Sequence, residues 1–317
     1  MRKLKFDLNI DPTALLAANP EAFYSKAYLS EDTADNYRAL PGVKYKTKLA
    51  SVTFGNILQA SSCAFTAPTD DLDAKEIDVC ALSAMAQICQ FDLEQSFLSL
   101  QMSKGSNGDF SVASFMSFYW SEMANKINGD IESIRWQGDT TSLNPTLALC
   151  DGYEKLLAAD PAVINGGTGN ITTFTGLETA LSAAFALLPA TIATRTADLR
   201  LYMPTQLVNI YRLGVAAGNT QAYITQDLSL TFLGIKIVVC PGMSNDTFVW
   251  TLKDNLIYAF DAEGDSSDLR AVNLADTVAE PYIRTRANMK VGFNFVNPAE
   301  IVFYSELITE PSAMGAL

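Results

Sequence analysis

The stretch from Ser111 to Trp136 constrains this chain more than any other. Apolar side chains fall at Val112, Phe115 or Met116, Tyr119, Met123, Ile127, Ile131 and Ile134. Spacings of three and four make one stripe of an amphipathic helix. At about 1.5 Å per residue the stretch forms a rod of roughly 35–40 Å, long for a globular domain. Asp109 or Ser111 can cap its start, and Gly129 weakens it modestly. The rod runs into "WQGDTTSLNP", where hydroxyls follow a glycine and an aspartate as they do in a phosphate cradle. A cradle precedes a helix and carries a lysine. This loop follows a helix and offers Arg135 alone. It is therefore read as the end of a strut: Ile134 and Trp136 complete the packing, Gly138 stops the helix, and Asp139 to Ser142 turn the chain.

Ahead of the rod, residues 1 to about 40 are short helical pieces broken by Pro12, Pro20 and Pro41, an arm rather than a domain. In "VKYKTKLASVTF", Val43, Tyr45, Thr47 and Leu49 alternate with Lys44, Lys46 and Lys48, which predicts a strand with a basic outer face. "APTDDLDAKE" reads as a polar turn, and "EIDVCALSAMAQICQFDLEQSF" as the returning strand-rich run. An extended hairpin of this kind needs a neighbour to lie on.

Beyond the rod, "LALCDGYEKLLAAD" predicts a shorter helix. "NGGTGN" lacks the Lys-Ser/Thr of a nucleotide loop. "TGLETALSAAFALLPA" opens with a capping box, Thr175 to Glu178. A strand "DLRLYM", a helix between Pro204 and Gly218, and two strand pairs follow, "LSLTFLGIKIVVCPGM" and "DTFVWTLKDNLIYAFD", the latter turning at Lys253-Asp254-Asn255. In "EPYIRTRANMKVGFNFVNPAEIVFYS", Arg284, Arg286, Asn288 and Lys290 share one face. Ile283, Thr285, Met289, Val291 and Phe293 share the other, and Pro298 breaks the run. This strand must pair with an earlier one, beside the long helix.

The chemistry available is narrow. The 317 residues contain no histidine, which removes Ser-His-Asp and Cys-His catalysis and every histidine-ligated metal. A net charge of −13 argues against tight binding of nucleic-acid backbones. Cys63, Cys80, Cys89, Cys150 and Cys240 show no C-x-x-C spacing and sit mostly in apolar runs, so they are expected to be buried free thiols in a reducing cytoplasm. No signal peptide or membrane span is read. The acidic run Asp70 to Asp78 lacks the glycine of a calcium loop. Trp120, Trp136 and Trp250 are read as packing residues.

Several of these pieces occur in a telling order. "QFDLEQSFLS", "IRWQGDTT", "LGIKIVVCPGM" with "TFVWTLKDNLIYAFD", and "RANMKVGFNFVNPAEIVFY" together resemble the major capsid proteins of tailed bacteriophages. Their α+β Hong Kong 97-type capsid fold is shared with herpesvirus shells and encapsulins. The resemblance covers nearly the whole chain. It implies an N-terminal arm (1–41), an extended E-loop hairpin (42–80), a peripheral domain with a spine helix (81–165 and 270–317) and an inserted axial domain (166–269).

It further implies a non-enzymatic structural subunit without cofactor or metal. Such a subunit assembles as pentamers and hexamers into an icosahedral head around double-stranded DNA, in a virion built in a bacterial cytoplasm. Portal, separate scaffolding and decoration proteins are the implied partners. An encapsulin-like compartment is the alternative, and a carboxylate-based enzyme the third reading. Candidate contacts between subunits are Arg38, Lys44, Lys46 and Lys48 against a neighbour's Asp70, Asp71 and Asp73, with Arg284 and Arg286 on the closing strand. Trp136, Gly138, Asp139 and Pro298 are structural. Some relatives join subunits through a Lys–Asn bond promoted by a Glu. Here the matching positions fall near Pro281 and at Asn288 or Met289, so no cross-link is expected.

Overall fold

The computed structural model describes residues 35–53, 71–89, 112–218, 230–261, 269–274, 278, 280 and 282–306. The arm before residue 35, both helix caps considered at Asp109 and Ser111, and Asp70 lie outside them. The described residues form two compact units. One lies within Ala81–Gly129 and Asp261–Lys290, the other within Glu31–Cys80, Asp130–Phe260 and Val291–Leu317.

The first unit is built on the closing strand. Strand β12 (Tyr282–Phe295) pairs antiparallel with β11 (Leu269–Asn273), from Leu269↔Ala287 to Asn273↔Ile283, and also with β4 (Cys80–Cys89). The alternation read from sequence is present: Ile283, Thr285, Ala287 and Met289 are buried while Arg284 and Arg286 are exposed. The long helix α1 (Val112–Gln137) lies along the buried face. The Tyr119 hydroxyl is 3.1 Å from Thr285 Oγ1, which in turn donates to Ala86 O at 3.3 Å. Strand, sheet neighbour and helix thus meet at one buried threonine.

The second unit holds the last five residues of β12, the end of α1 and three sets of strands. The ribbon β2 (Thr47–Thr53) and β3 (Asp71–Ile77) is antiparallel, with Lys48↔Glu76 and Thr53↔Asp71 in register. Strand β1 (Arg38–Pro41) runs parallel to β10 (Leu256–Phe260), which pairs antiparallel with residues 291–295 of β12. A mixed six-stranded sheet has the order β5 (Ile164–Asn165), β13 (Val302–Tyr304), β9 (Phe248–Leu252), β6 (Leu199–Met203), β8 (Ile235–Val239), β7 (Thr231–Phe232). Helices α3 (Phe174–Ala186) and α5 (Thr205–Gly218) cover it, and Leu177, Leu181, Leu201, Leu207 and Trp250 fill the core with no exposed surface. Helices α2 (Tyr153–Ala159) and α4 (Ala190–Ala193) also lie in this unit.

Five sequence expectations are corrected. The returning arm of the hairpin is "DLDAKEI", inside the stretch read as a turn, while "CALSAMAQIC" pairs with β12 instead. The polar composition hid a two-stranded ribbon, paired across seven positions. Strand β2 begins only at Thr47, and Tyr45 is 79% exposed, so it sits on no buried face. Helix α3 is capped by Thr173, whose Oγ1 accepts from Gly176 N at 3.2 Å, and not by a box at Thr175. The helix expected over "LALCDGYEKLLAAD" starts at Tyr153, after a single 3₁₀ turn at Leu147–Leu149. Finally, Cys80 and Cys150 form a disulfide with Cα atoms 5.8 Å apart, while Cys89 and Cys240 are free. Seventy residues separate the pair, so spacing carried no sign of it.

The strands around Lys253-Asp254-Asn255 are both present, but they belong to different sheets. The chain changes sheet again between β12 and β13, where Asn297 and Pro298 open a 3₁₀ turn. Asn255 fastens the two corners together. Its Oδ1 accepts from Val296 N at 3.1 Å and Asn297 N at 2.8 Å, and its Nδ2 donates to Asn297 O at 2.9 Å. Pro298 ends the long strand as expected, and Asn297 supplies the cap, its Oδ1 accepting from Ala299 N.

Candidate functional site

At the end of α1, Trp136 is fully buried among the rings of Tyr153 (5.2 Å), Tyr202 (5.8 Å) and Tyr37 (6.4 Å). Arg135 is equally buried. Its guanidinium lies 4.9 Å from the Tyr37 ring and 4.7 Å from that of Tyr258, and it pairs with Glu132 one turn back. Burial alone disfavours this charge, but Glu132 and the surrounding tyrosines outweigh it and hold the group protonated. Burial pushes the hydroxyls of Tyr37, Tyr153, Tyr202 and Tyr258 up. Two of them reach the backbone: Tyr153 donates to Ile257 O at 2.7 Å, and Tyr202 donates to Asn36 O. The chain just before β1 is thus fixed to the helix end.

The loop after the helix folds inward. Gly138 N donates to Ile134 O at 2.9 Å, and Gly152 N donates to Gly138 O at 2.8 Å. A Cβ on Gly138 would stand 2.3 Å from Cys150 O, and one on Gly152 would stand 2.5 Å from Ile134 O. Neither glycine has a positive φ; space, not conformation, demands them. Asp139 Oδ1 accepts from Thr141 N (2.8 Å), Thr141 Oγ1 (2.7 Å) and Lys155 Nζ (2.8 Å). Asp151 Oδ1 accepts from Thr140 N, Thr140 Oγ1 and the same Lys155 amine at 2.7 Å. Lys155 and the Thr141 bonds lower the Asp139 carboxyl to about 2. Of the hydroxyls that suggested a phosphate cradle, those of Thr140 and Thr141 are spent on two carboxylates of the same chain, and Ser142 Oγ accepts from Asn144 N at 3.2 Å.

Beside this loop runs a cleft of about 460 Å³, lined by Gln137, Gly138, Asp139, Glu154, Lys155 and Ser244. Glu154 is almost fully buried and accepts from Ser244 N (2.7 Å) and Ser244 Oγ (2.6 Å). Its burial raises the carboxyl above the ordinary range, while those bonds pull the other way. Sequence reading missed Glu154, because its partners lie ninety residues downstream.

The ribbon and the residues flanking it carry several of the charges singled out from sequence. Lys46 pairs with Asp78 at 2.9 Å and Lys48 with Glu76 at 3.6 Å, all four well exposed. Asp71 and Asp73 stand opposite Thr53 and Ser51, and Lys44 and Arg38 are exposed. On β12, Arg284 Nε donates to Gln87 Oε1 at 2.8 Å, and Arg286 Nε donates to Asn288 Oδ1 at 2.9 Å. The ribbon's root was not foreseen. Lys75 Nζ is 2.8 Å from Asp160 and 3.7 Å above the Phe295 ring. Asn294 Nδ2 donates to Glu76 O at 2.7 Å. At Gly292 a Cβ would meet Asp78 O at 2.6 Å, so the ribbon leaves across a strand position that admits no side chain.

No protein-family model and no curated protein sequence matches the chain. Solved structures do. The capsid of an empty GTA particle is 16% identical, with a TM-score of 0.55 over 88% of this chain and 89% of that one. The procapsid of satellite phage P4 is 12% identical, with a TM-score of 0.57 over 90% and 98%. The capsid of Myoviridae phage XM1 is 13% identical, with a TM-score of 0.51 over 86% and 90%. The chain therefore has the α+β fold of phage capsid proteins, over most of its length.

Proposed function

We propose that the protein is the major capsid protein of a tailed bacteriophage, a subunit that self-assembles as pentamers and hexamers into an icosahedral head around double-stranded DNA. The observation that carries this reading is the conjunction of a phage-capsid fold with a ribbon, β2–β3, rooted by Lys75 and lined with exposed charge. Residues 1–41 act as the arm, 42–80 as the E-loop, 81–165 and 270–317 as the peripheral domain, and 166–269 as the axial domain. Heterologous contacts close into rings, and rings tile a shell.

Exposed ion pairs are weak and readily exchanged. Lys46 and Lys48 therefore trade Asp78 and Glu76 for a neighbour's Asp70, Asp71 or Asp73 at little cost, with Lys44, Arg38, Arg284 and Arg286 as further contacts. Such pairs set register more than affinity. The net charge of −13 lets packaged DNA lie near the wall without sticking. Portal, scaffolding and decoration proteins are partners of the assembly, which forms in the bacterial cytoplasm. No Lys–Asn cross-link forms, and assembled particles run as monomers on denaturing gels.

Sedimentation tests the reading. Purified protein yields fast-sedimenting particles, whereas a monomer or dimer under all assembly conditions contradicts it. Nuclease-protected DNA in particles from the native source separates a virus head from an encapsulin-like compartment, which would hold protein cargo.

A further inference from the structure

Strands β7 and β8 are joined by two residues, Leu233 and Gly234, with φ of 51° and 79°. A two-residue hairpin turn with both φ values positive favours Asn-Gly, since a bulky side chain resists this conformation. Leu233 is the residue other than glycine with positive φ among those described, and it is 65% exposed. A strained backbone here holds an apolar side chain out to solvent. Neither property helps the free subunit: asparagine would relieve the strain and suit the water. Backbone strain of this kind persists where something else depends on it.

The surroundings indicate what covers the tip. Each copy of the chain carries −13, so copies repel one another through their net charge. From Thr231 to Ile235 the tip has no charge, and the next residue, exposed Lys236, is a cation. The hairpin also ends the sheet, with β7 as its edge strand. An uncharged apolar point followed by a lysine is a place where an acidic copy can approach.

We propose that the Leu233–Gly234 tip is an inter-subunit knob, covered in the assembled state by a second copy of this chain. This rests on the shell reading and adds a specific contact to it.

Two variants test it, Leu233→Asn and Leu233→Ala, each followed by light scattering across protein concentration and by melting of the unassembled subunit. Leu233→Asn restores the favoured turn, and the free subunit melts about 2–4 °C higher. Both variants raise the concentration needed for assembly at least tenfold. If both assemble at the wild-type threshold, the knob is refuted while the shell reading stands. If wild-type protein forms no particles under any condition, the shell reading itself fails. Normal assembly with loss of binding to a different protein assigns the tip to that protein and overturns the second-copy proposal.

Discussion

Gly138 and Gly152 sit back to back where the long helix ends, and backbone oxygens occupy the space a methyl would take. Those atoms cannot swing aside as a flexible side chain can. Gly138→Ala is expected to destabilise the protein by about 3 kcal/mol, the upper range for overpacking, read as a drop in the urea midpoint. Two carboxylates nearby set opposite responses to pH. Asp139 is held at about 2, so its contribution is present above the ordinary carboxylate range and is lost as pH falls towards 2. Glu154 is raised, so the folded state holds its proton more tightly than the unfolded chain does. Stability from this site is greatest below about pH 4.3 and falls as pH rises through the folded value. Glu154→Gln removes that fall: its melting temperature relative to wild type climbs from pH 4 to pH 7. A constant offset across that range contradicts the account. Gly138 as a stop and Trp136 as packing were legible, because helix ends have local signatures. The Asp139–Lys155–Asp151 bridge was not, since its logic lies in a helix beginning after the loop turns back.

Among the elements, the long helix and β12 declared themselves through strict periodicity, 3.6 in one and 2 in the other. Strand β3 did not. Asp, Lys and Glu in "DLDAKEI" mimic a turn, and the alternation of Leu72 and Ala74 with Asp71, Asp73 and Lys75 is too short to mark a ribbon held by its partner strand and by Lys75 at its root. The sheet change at Asn255 was equally hidden, because a tight turn between two apolar strands looks the same whether they pair or part. The Cys80–Cys150 bond was invisible for a related reason: it joins the ribbon side of the chain to the loop behind the helix. It closes a loop of 70 residues that contains all of α1. Chain entropy over such a loop is worth about 4 kcal/mol. A reductant is expected to lower the urea midpoint of wild type, and Cys80→Ser with Cys150→Ser to lower it as far without reductant. Equal midpoints with and without reductant contradict the bond's contribution.

For the molecule as a whole, the order of its parts was more informative than any one of them. An arm, a charged hairpin, a long rod, an α/β stretch and an alternating closing strand pointed to a capsid fold, which the likeness to phage capsids at 12–16% identity bears out. At such identity no local motif need survive, but the sequence of element types does, because it fixes which strands pair. On the proposed shell reading, a histidine-free composition and a charge of −13 suit a subunit that works by contact. On the proposed reading, copies of this chain close on one another. Electron microscopy of the purified protein, or of particles from its native source, addresses this directly. Closed icosahedral shells, with the subunit fitting as pentamers and hexamers and β2–β3 lying over an adjacent copy, are the expected image. Discrete monomers or dimers at every concentration and salt would contradict it.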